Sequence, residues 1–333
     1  MESTRLALVA TALLIASMAV ISSPAVVLAR DESGETPAEE AAVTTEQAGA
    51  HTEKEGAPSK LSHADSSSGG PTSTQVTAFS QASASLEKEL RPEARIKADK
   101  LIAVFENEQL ESQYGYAERL EDGRGYTLGR AGFTTGTGDA LDVVKGYLDD
   151  PEGDRKLKQD LEKYLPRLEK LAETESASVR GLSGFTRAWT AAAEDPAFRK
   201  AQDAVVDELY YKPAMQMAGE LGTNYPLTKA ALYEAMIQHG NGEDPDSVGA
   251  LAARATKTVG GTPKDGVPES KWLGAFLDER RKDLAHAYNR ATRKEWAESV
   301  GRADAMRKLF DSGNYDLTGP FTVDPYGTPF TID

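Results

Sequence analysis

The chain of 333 residues contains no cysteine. Disulfides, thiolate metal sites and thiol nucleophiles are therefore excluded. An exported domain of this size can dispense with disulfides, because it buries enough core without them. Histidine is scarce too: there are four, and His51 and His63 fall in a polar N-terminal stretch. No H-x-x-x-H pair occurs, so a zinc site has no anchor, and no metal or other cofactor is expected. The G-x-S-x-G elbow and the phosphate-binding P-loop are both missing. Basic residues are outnumbered, 38 Lys and Arg against 53 Asp and Glu, for a net charge of −15. Nucleic acid is thereby disfavoured as a partner, since binding it calls for clustered cations. A cationic polymer suits the charge, although solubility alone explains it equally well.

Only one long apolar run is present. It extends from Leu6 to about Ile21 behind Arg5, stops at Pro24, and precedes Val27-Leu28-Ala29, a cleavage-like site. This pattern predicts a signal peptide over residues 1–29 and a secreted, extracellular product. The alternative is a retained anchor, for which the run is at the short end of the roughly 20 residues a spanning helix needs. Once the signal is cleaved, no membrane association is expected. Residues 30–85 hold nine acids and three bases and almost no large apolar side chains. Such a stretch cannot offset its chain entropy by burial and reads as a disordered leader or tether. It carries −6 of the net charge, which leaves −9 on residues 86–333. The folded part is thus itself acidic.

From residue 86 onward the periodicity is helical. Ala94, Ala98, Leu101, Ile102 and Phe105 share one face, as do Leu141, Val144, Tyr147 and Leu148. Leu157, Leu161, Leu165, Leu168 and Leu171 predict a long helix bent or split at Pro166. Further helices are predicted around Ala197 to Leu209, Leu232 to Met236, Trp272 to Leu284, and Met306 to Phe310. Strand signals concentrate between Gly123 and Thr135, as a small hairpin or sheet. The stretch from Gly313, rich in Gly, Pro and Asp, is expected to wrap the surface without regular structure. The fold class is α+β, mostly α.

With thiols, paired histidines and serine elbows gone, carboxylates remain as candidate chemistry. Glu106 ends an apolar helical face beside Phe105. A carboxyl partly buried against aromatics has its ionised form disfavoured, which suits a general acid. Asp122 lies in Glu121-Asp122-Gly123-Arg124-Gly125-Tyr126-Thr127, a polar, glycine-bearing turn that would keep it ionised, as a base requires. From pattern alone both acids read more readily as solvated surface charges. Gly136-Thr137-Gly138 opens a helix, either as an anion site or simply as a cap.

Several motifs in fixed order sharpen this reading. They are Phe105-Glu106-Asn107, Gln113-Tyr114-Gly115-Tyr116, Asp122-Gly123-Arg124-Gly125-Tyr126-Thr127, Gly132-Phe133 and Gly136-Thr137-Gly138-Asp139. Tyr164-Leu165-Pro166, Phe185-Thr186 with Trp189, His239-Gly240 with Asp244-Pro245, Phe276-Leu277-Asp278-Glu279-Arg280, Gly313-Asn314 with Asp316-Leu317, and Tyr326-Gly327 follow. From about Leu86 to the end, the chain resembles the family-46 chitosanases. The resemblance implies a lysozyme-like fold, two mainly helical lobes around a substrate cleft with a small sheet on one side. It implies endo-acting hydrolysis of β-1,4 links in chitosan with inversion, on chitosan or chito-oligosaccharide, by a monomer over residues 86–333.

The resemblance also assigns roles. Glu106 matches the general acid, Asp122 the base that activates water, and Thr127 the residue that helps to hold that water. Inverting enzymes keep the two carboxyls about 6.5–9.5 Å apart. Asp139 matches an acid that grips a glucosamine ammonium, with a helix-start acid stabilised by the dipole as the other reading. Tyr116, Arg124, Thr137 and His239 match cleft-lining, substrate-binding residues. For His239 a buried structural role stands as the alternative. Arg302 and Arg280 match an ion-pair network behind the general acid, with Glu234 where the family usually has Asp. Trp189 is expected in the core. Two further departures are a shortened segment between Glu106 and Tyr114, and Asn241 where the family has Pro. Competing readings are a lysozyme-like hydrolase of an acetylated polymer such as chitin or peptidoglycan, and a non-catalytic sugar-binding relative.

Overall fold

The computed structural model describes residues 89–120 and 123–333. The predicted signal peptide and the whole of the predicted tether lie outside the described residues, as do Glu121 and Asp122.

Helix α1 (Pro92–Asn107) starts with proline at its first position, where the missing N–H costs nothing. Its predicted face, Ala94, Ala98, Leu101, Ile102 and Phe105, is buried. The helix stops where Glu108 turns left-handed (φ 51°) and its N–H bonds Val104 O at 2.9 Å. Three short antiparallel strands follow: β1 (Ala117–Glu118), β2 (Thr127–Leu128) and β3 (Phe133–Thr134), paired in the order β1-β2-β3. The predicted strand region holds β2 and β3, while β1 lies ahead of it, too short to leave a periodic signal.

The first helical group comprises α2 (Asp139–Asp149), α3 (Arg155–Glu162), α4 (Leu165–Glu173), α5 (Phe185–Ala192) and α6 (Pro196–Val206). The predicted long leucine helix is split into α3 and α4, with Pro166 in the first turn of α4. Asp154 and Asp195 cap α3 and α6 by accepting from backbone N–H groups. An aromatic cluster fills this group. Trp189, fully buried as expected, packs edge-on against Phe198 at 4.9 Å and Phe185 at 6.1 Å. Its indole N–H donates to Tyr114 O at 3.0 Å. The sheet packs against α5 and α2.

Helix α6 does not end at its predicted last apolar residue. It runs into one wide π-turn (Asp207–Tyr211) and then α7 (Lys212–Leu221). Pro213 has no N–H to give to the carbonyl four residues back, and the chain widens just ahead of it. The second helical group consists of α7, α8 (Pro226–His239), α9 (Val248–Val259), α10 (Glu269–Ala285), α11 (Arg293–Glu298) and α12 (Val300–Asp311). Helix α8 is its axis: every residue from Leu227 to His239 is buried. A helix enclosed on all sides shows no apolar face, because no side of it is wet.

One expectation is corrected at the C-terminus. The stretch from Gly313 was expected to lack regular structure, but it contains a hairpin of β4 (Phe321–Val323) and β5 (Phe330–Ile332). Alternation supplies the reason: Val323 and Ile332 point into the core while Thr322 and Thr331 face outward. Three residues per strand are too few to outweigh the turn-rich composition in a sequence reading. Among the described residues, no helix is long and apolar enough to cross a membrane.

Candidate active site

Glu106 sits in the last turn of α1 and is buried. Its Oε1 accepts from Arg302 Nη2, and Arg302, the third residue of α12, is fully buried. Arg302 Nε donates to Glu234 Oε1 at 2.7 Å. Glu234 Oε2 in turn pairs with Arg280 Nη1 of α10. Arg280 donates to Gln238 Oε1 at 2.8 Å through Nη2 and to His239 Nε2 at 3.3 Å through Nε. Four helices, α1, α8, α10 and α12, thus meet on the carboxyls of Glu106 and Glu234 and the guanidiniums of Arg280 and Arg302. A buried charge is tolerated only with such pairing.

The electrostatics of the four differ for a physical reason. Burial alone would push the Glu234 carboxyl up, but Arg280 and Arg302 outweigh it and hold it below the usual range. Burial lowers Arg280, which has one carboxylate partner and a like-charged neighbour in Arg302. Arg302 is subject to the same burial, yet Glu106 and Glu234 together raise it. Arg302 therefore stays charged beside Glu106.

His239 is corrected. It was expected to line the cleft, but its ring is fully buried beneath Trp296, with centroids 4.8 Å apart. Its Nδ1 lies 2.9 Å from Asp246 O. Since Nε2 accepts from Arg280, Nδ1 carries the proton and donates. Burial and the Arg280 charge hold its pKa well below the usual value. Buried and neutral beside Arg280, His239 fits the structural role weighed as the alternative for it.

Thr127 starts β2 with its side chain buried, and its Oγ1 has no hydrogen-bond partner among the described residues. A hydroxyl in that state is costly unless something fills the gap. Asp122, five residues earlier in the sequence, lies outside the described residues. Arg124 is half-buried, and its carbonyl accepts from Gly136 N at 2.9 Å. Tyr116 is half-buried, and its hydroxyl donates to Glu118 Oε2 at 3.2 Å.

Asp139 opens α2 behind Gly138, whose φ of 98° only glycine adopts readily. Its Oδ1 accepts from Thr134 N at 2.7 Å, Thr137 Oγ1 at 2.7 Å and Ala140 N at 2.9 Å. Thr137 Oγ1 also lies 2.6 Å from Thr134 Oγ1. Burial lifts the Asp139 carboxyl to about 6, against the pull of these donors and of Arg124. All three of these bonds fall on Oδ1, none on Oδ2. The helix-start role is therefore real, and it leaves one oxygen for an incoming cation.

Tyr210, unforeseen from the sequence, joins the two sides. It lies in the π-turn between α6 and α7 and is buried. Its phenol is pushed above the ordinary range by burial, then by the charges of Asp139 and Glu106, while Arg124 opposes. One side chain therefore feels the acid on α1, the acid on α2 and Arg124 in the turn before β2. The available signal was Pro213 inside a helical pattern, since π-turns gather at functional sites. Gln238 was also missed; Glu234 and Gln238 are four residues apart on α8, so both face Arg280.

A family comparison decides what this arrangement is. The profile described as Glycosyl hydrolase family 46 matches residues 100–321. The chain belongs to glycosyl hydrolase family 46. This family-46 protein is a glycoside hydrolase, and its relatives are chitosanases. It is 49% identical over 234 residues to the chitosanase of Bacillus subtilis (strain 168), covering 70% of this chain and 83% of that one. Its fold matches the family-46 chitosanase of Gynuella sunshinyii, solved with chitotetraose, at a TM-score of 0.65 and 46% identity. That match covers 74% of this chain and 99% of the other. A mutant chitosanase from Bacillus subtilis MY002, solved with 6 GlcN, matches at a TM-score of 0.65 and 47% identity, over 73% of this chain and 100% of that one. The matched span of the family-46 protein contains Glu106, Thr127, Asp139, Tyr210, Glu234, Arg280 and Arg302. Among its described residues, no cluster of His, Asp and Glu is arranged to hold a metal ion.

Proposed function

We propose that this chain is an endo-acting chitosanase that cleaves β-1,4 links of chitosan by single displacement with inversion. The observation that carries the reading is the buried Glu106 at the end of α1, held by Arg302; the buried, unpartnered hydroxyl of Thr127 supports it. Glu106, protonated, gives its proton to the glycosidic oxygen as the bond to the anomeric carbon breaks. Asp122 takes a proton from water, and that water attacks the anomeric carbon from the opposite face. Thr127 Oγ1 holds the water, which supplies the partner the hydroxyl lacks. Water fits between the two carboxyls at the spacing of about 6.5–9.5 Å that inverting enzymes keep. Asp139 Oδ2 binds a glucosamine ammonium, and ion pairing holds the carboxyl in its charged form. Arg124, Tyr116 and Thr137 line the same cleft. Arg302, Glu234 and Arg280 fix the orientation of Glu106 from behind. The leading apolar run of the sequence supports export to the extracellular space, and the protein acts as a monomer.

The test is incubation of the purified chain with chitosan, chitin and peptidoglycan, following reducing ends and product anomers. Rapid release of α-anomers from chitosan alone is expected. β-anomers would rule out inversion, and hydrolysis confined to chitin or peptidoglycan would overturn the substrate. Glu106→Gln and Asp122→Asn are expected to keep the circular dichroism of the parent and to lose about 10²–10⁴-fold in kcat. Light scattering of the mature chain checks the monomer. Recovery from the culture medium, with an N-terminus after residue 29, checks export.

A further inference from the structure

The motif Tyr326-Gly327 has no part in the chemistry above, yet it reaches the general acid. It lies in the turn between β4 and β5, where Gly327 N bonds Asp324 Oδ1 at 2.6 Å. From there the Tyr326 hydroxyl donates to Phe105 O at 2.9 Å. Phe105 precedes Glu106, and its carbonyl is one of those a helix leaves without an internal partner at its C-terminal end. The neighbouring carbonyl, Val104 O, is already taken by Glu108 N. The turn itself has little freedom. A Cβ added at Gly301 would come within 1.7 Å of Pro325 O, so the turn lies flush on the start of α12, one residue before Arg302. Burial pushes the Tyr326 phenol above its ordinary range, and the phenol feels the charges of Arg302, Glu106, Glu234 and Arg280.

We propose that Tyr326 is a positioning residue for the general acid: its hydroxyl ties down the Phe105 carbonyl and so fixes the last turn of α1, from which Glu106 projects. The inference rests on the reading of Glu106 as the acid. The C-terminal hairpin sits on Gly301 and anchors Tyr326, so the two residues flanking the Glu106–Arg302 contact, Phe105 and Gly301, are held by one turn. Tyr326 touches neither substrate nor reacting atoms. Its effect is on how closely the Glu106 carboxyl meets the glycosidic oxygen, and a displacement near 1 Å can cost about 10²-fold in rate.

The experiment compares Tyr326→Phe, Gly301→Ala and Glu106→Gln in the full chain, measuring kcat and KM on glucosamine hexamer together with thermal unfolding. Tyr326→Phe removes one oxygen and is expected to lower kcat by about tenfold or more with KM within about twofold, the signature of a contact felt only in the transition state. Its unfolding midpoint is expected within a few degrees of the parent. Gly301→Ala, which displaces Pro325, is expected to shift kcat in the same direction; if it does not fold, Tyr326→Phe decides alone. A Tyr326→Phe enzyme with parental kcat, beside an inactive Glu106→Gln, overturns this inference and leaves the assignment of the acid standing. A fall in kcat matched by loss of folded protein also overturns it, because the hydroxyl would then serve stability only. Turnover retained by Glu106→Gln sinks the assignment of the acid itself.

Discussion

Two interiors share this fold and are built from opposite materials. Around Trp189 the core is aromatic: Phe133, Tyr147, Tyr164, Phe185 and Phe198 meet edge to face or tilted, with ring centroids 4.9–6.3 Å apart. Around α8 the core is ionic: Glu106, Arg302, Glu234 and Arg280 are as deeply buried as the aromatic rings. The first packs by dispersion and area, and tolerates loss in proportion to the volume removed. The second is most sensitive to loss of an arginine that bridges two carboxylates, because each charge depends on its neighbours. The contrast teaches where precision is spent. On the proposed reading, the aromatic side carries Asp139, a substrate-binding acid, and the ionic side carries Glu106, which must present one proton at one point.

That contrast can be broken by experiment. Arg302→Met is expected to have the largest effect, since it removes the partner of Glu106 and leaves Glu234 to Arg280 alone. It should cost about 3–5 kcal/mol of stability and abolish most turnover, read by denaturant unfolding and kcat. Trp189→Ala, on the other side, should cost a similar 3–5 kcal/mol or so. Its kcat per folded molecule is nevertheless expected to stay close to the parent. Equal losses of kcat per folded molecule in the two variants would show that the two cores do not differ in this way.

The pH dependence sharpens the comparison further. Asp139 in the free enzyme loses its proton near about 6. Below that value the neutral carboxyl no longer attracts an ammonium, so KM for chito-oligosaccharide is expected to rise as pH falls through 6. Asp139→Asn should raise KM at neutral pH and flatten the profile. His239 tests the ionic side: its pKa is depressed on folding from the ordinary 6.5. The unfolded chain then binds more protons below 6.5, so stability is present above that pH and is lost as pH falls. His239→Gln should remove this part of the acid-side decline, read as a flatter plot of unfolding midpoint against pH. The smallest effect is expected far from both cores. Asp154→Ala removes the cap of α3, a loss of about 1 kcal/mol with kcat unchanged.

Much of this was legible from the chain itself. The helical faces of α1, α2, α6 and α12 follow from apolar spacing, and Pro166 marked the break between α3 and α4. Burial of Trp189 was also foreseen. What failed was local pattern in places where tertiary packing decides. Helix α8 is buried all round, so its pattern gave no hint that Gln238 and His239 would face Arg280, and only the resemblance placed Glu234 in that network. His239 followed its family position into the cleft on paper, whereas burial made it a strut. The β4–β5 hairpin is held by two inward side chains, a pattern too short to read.

By itself the sequence determined the secondary structure around Glu106, the acidic balance that suits a cationic polymer, and the ordered motifs that mark the family. Tertiary structure alone decided that Glu106 is buried against Arg302, which lies 196 residues away. It alone brought Tyr210 within the field of both Asp139 and Glu106, and Tyr326 onto the carbonyl of Phe105. The reason is physical: helix periodicity is set by neighbours within a turn or two, while the pairing of buried charges is fixed only when distant helices exclude water from the same small volume.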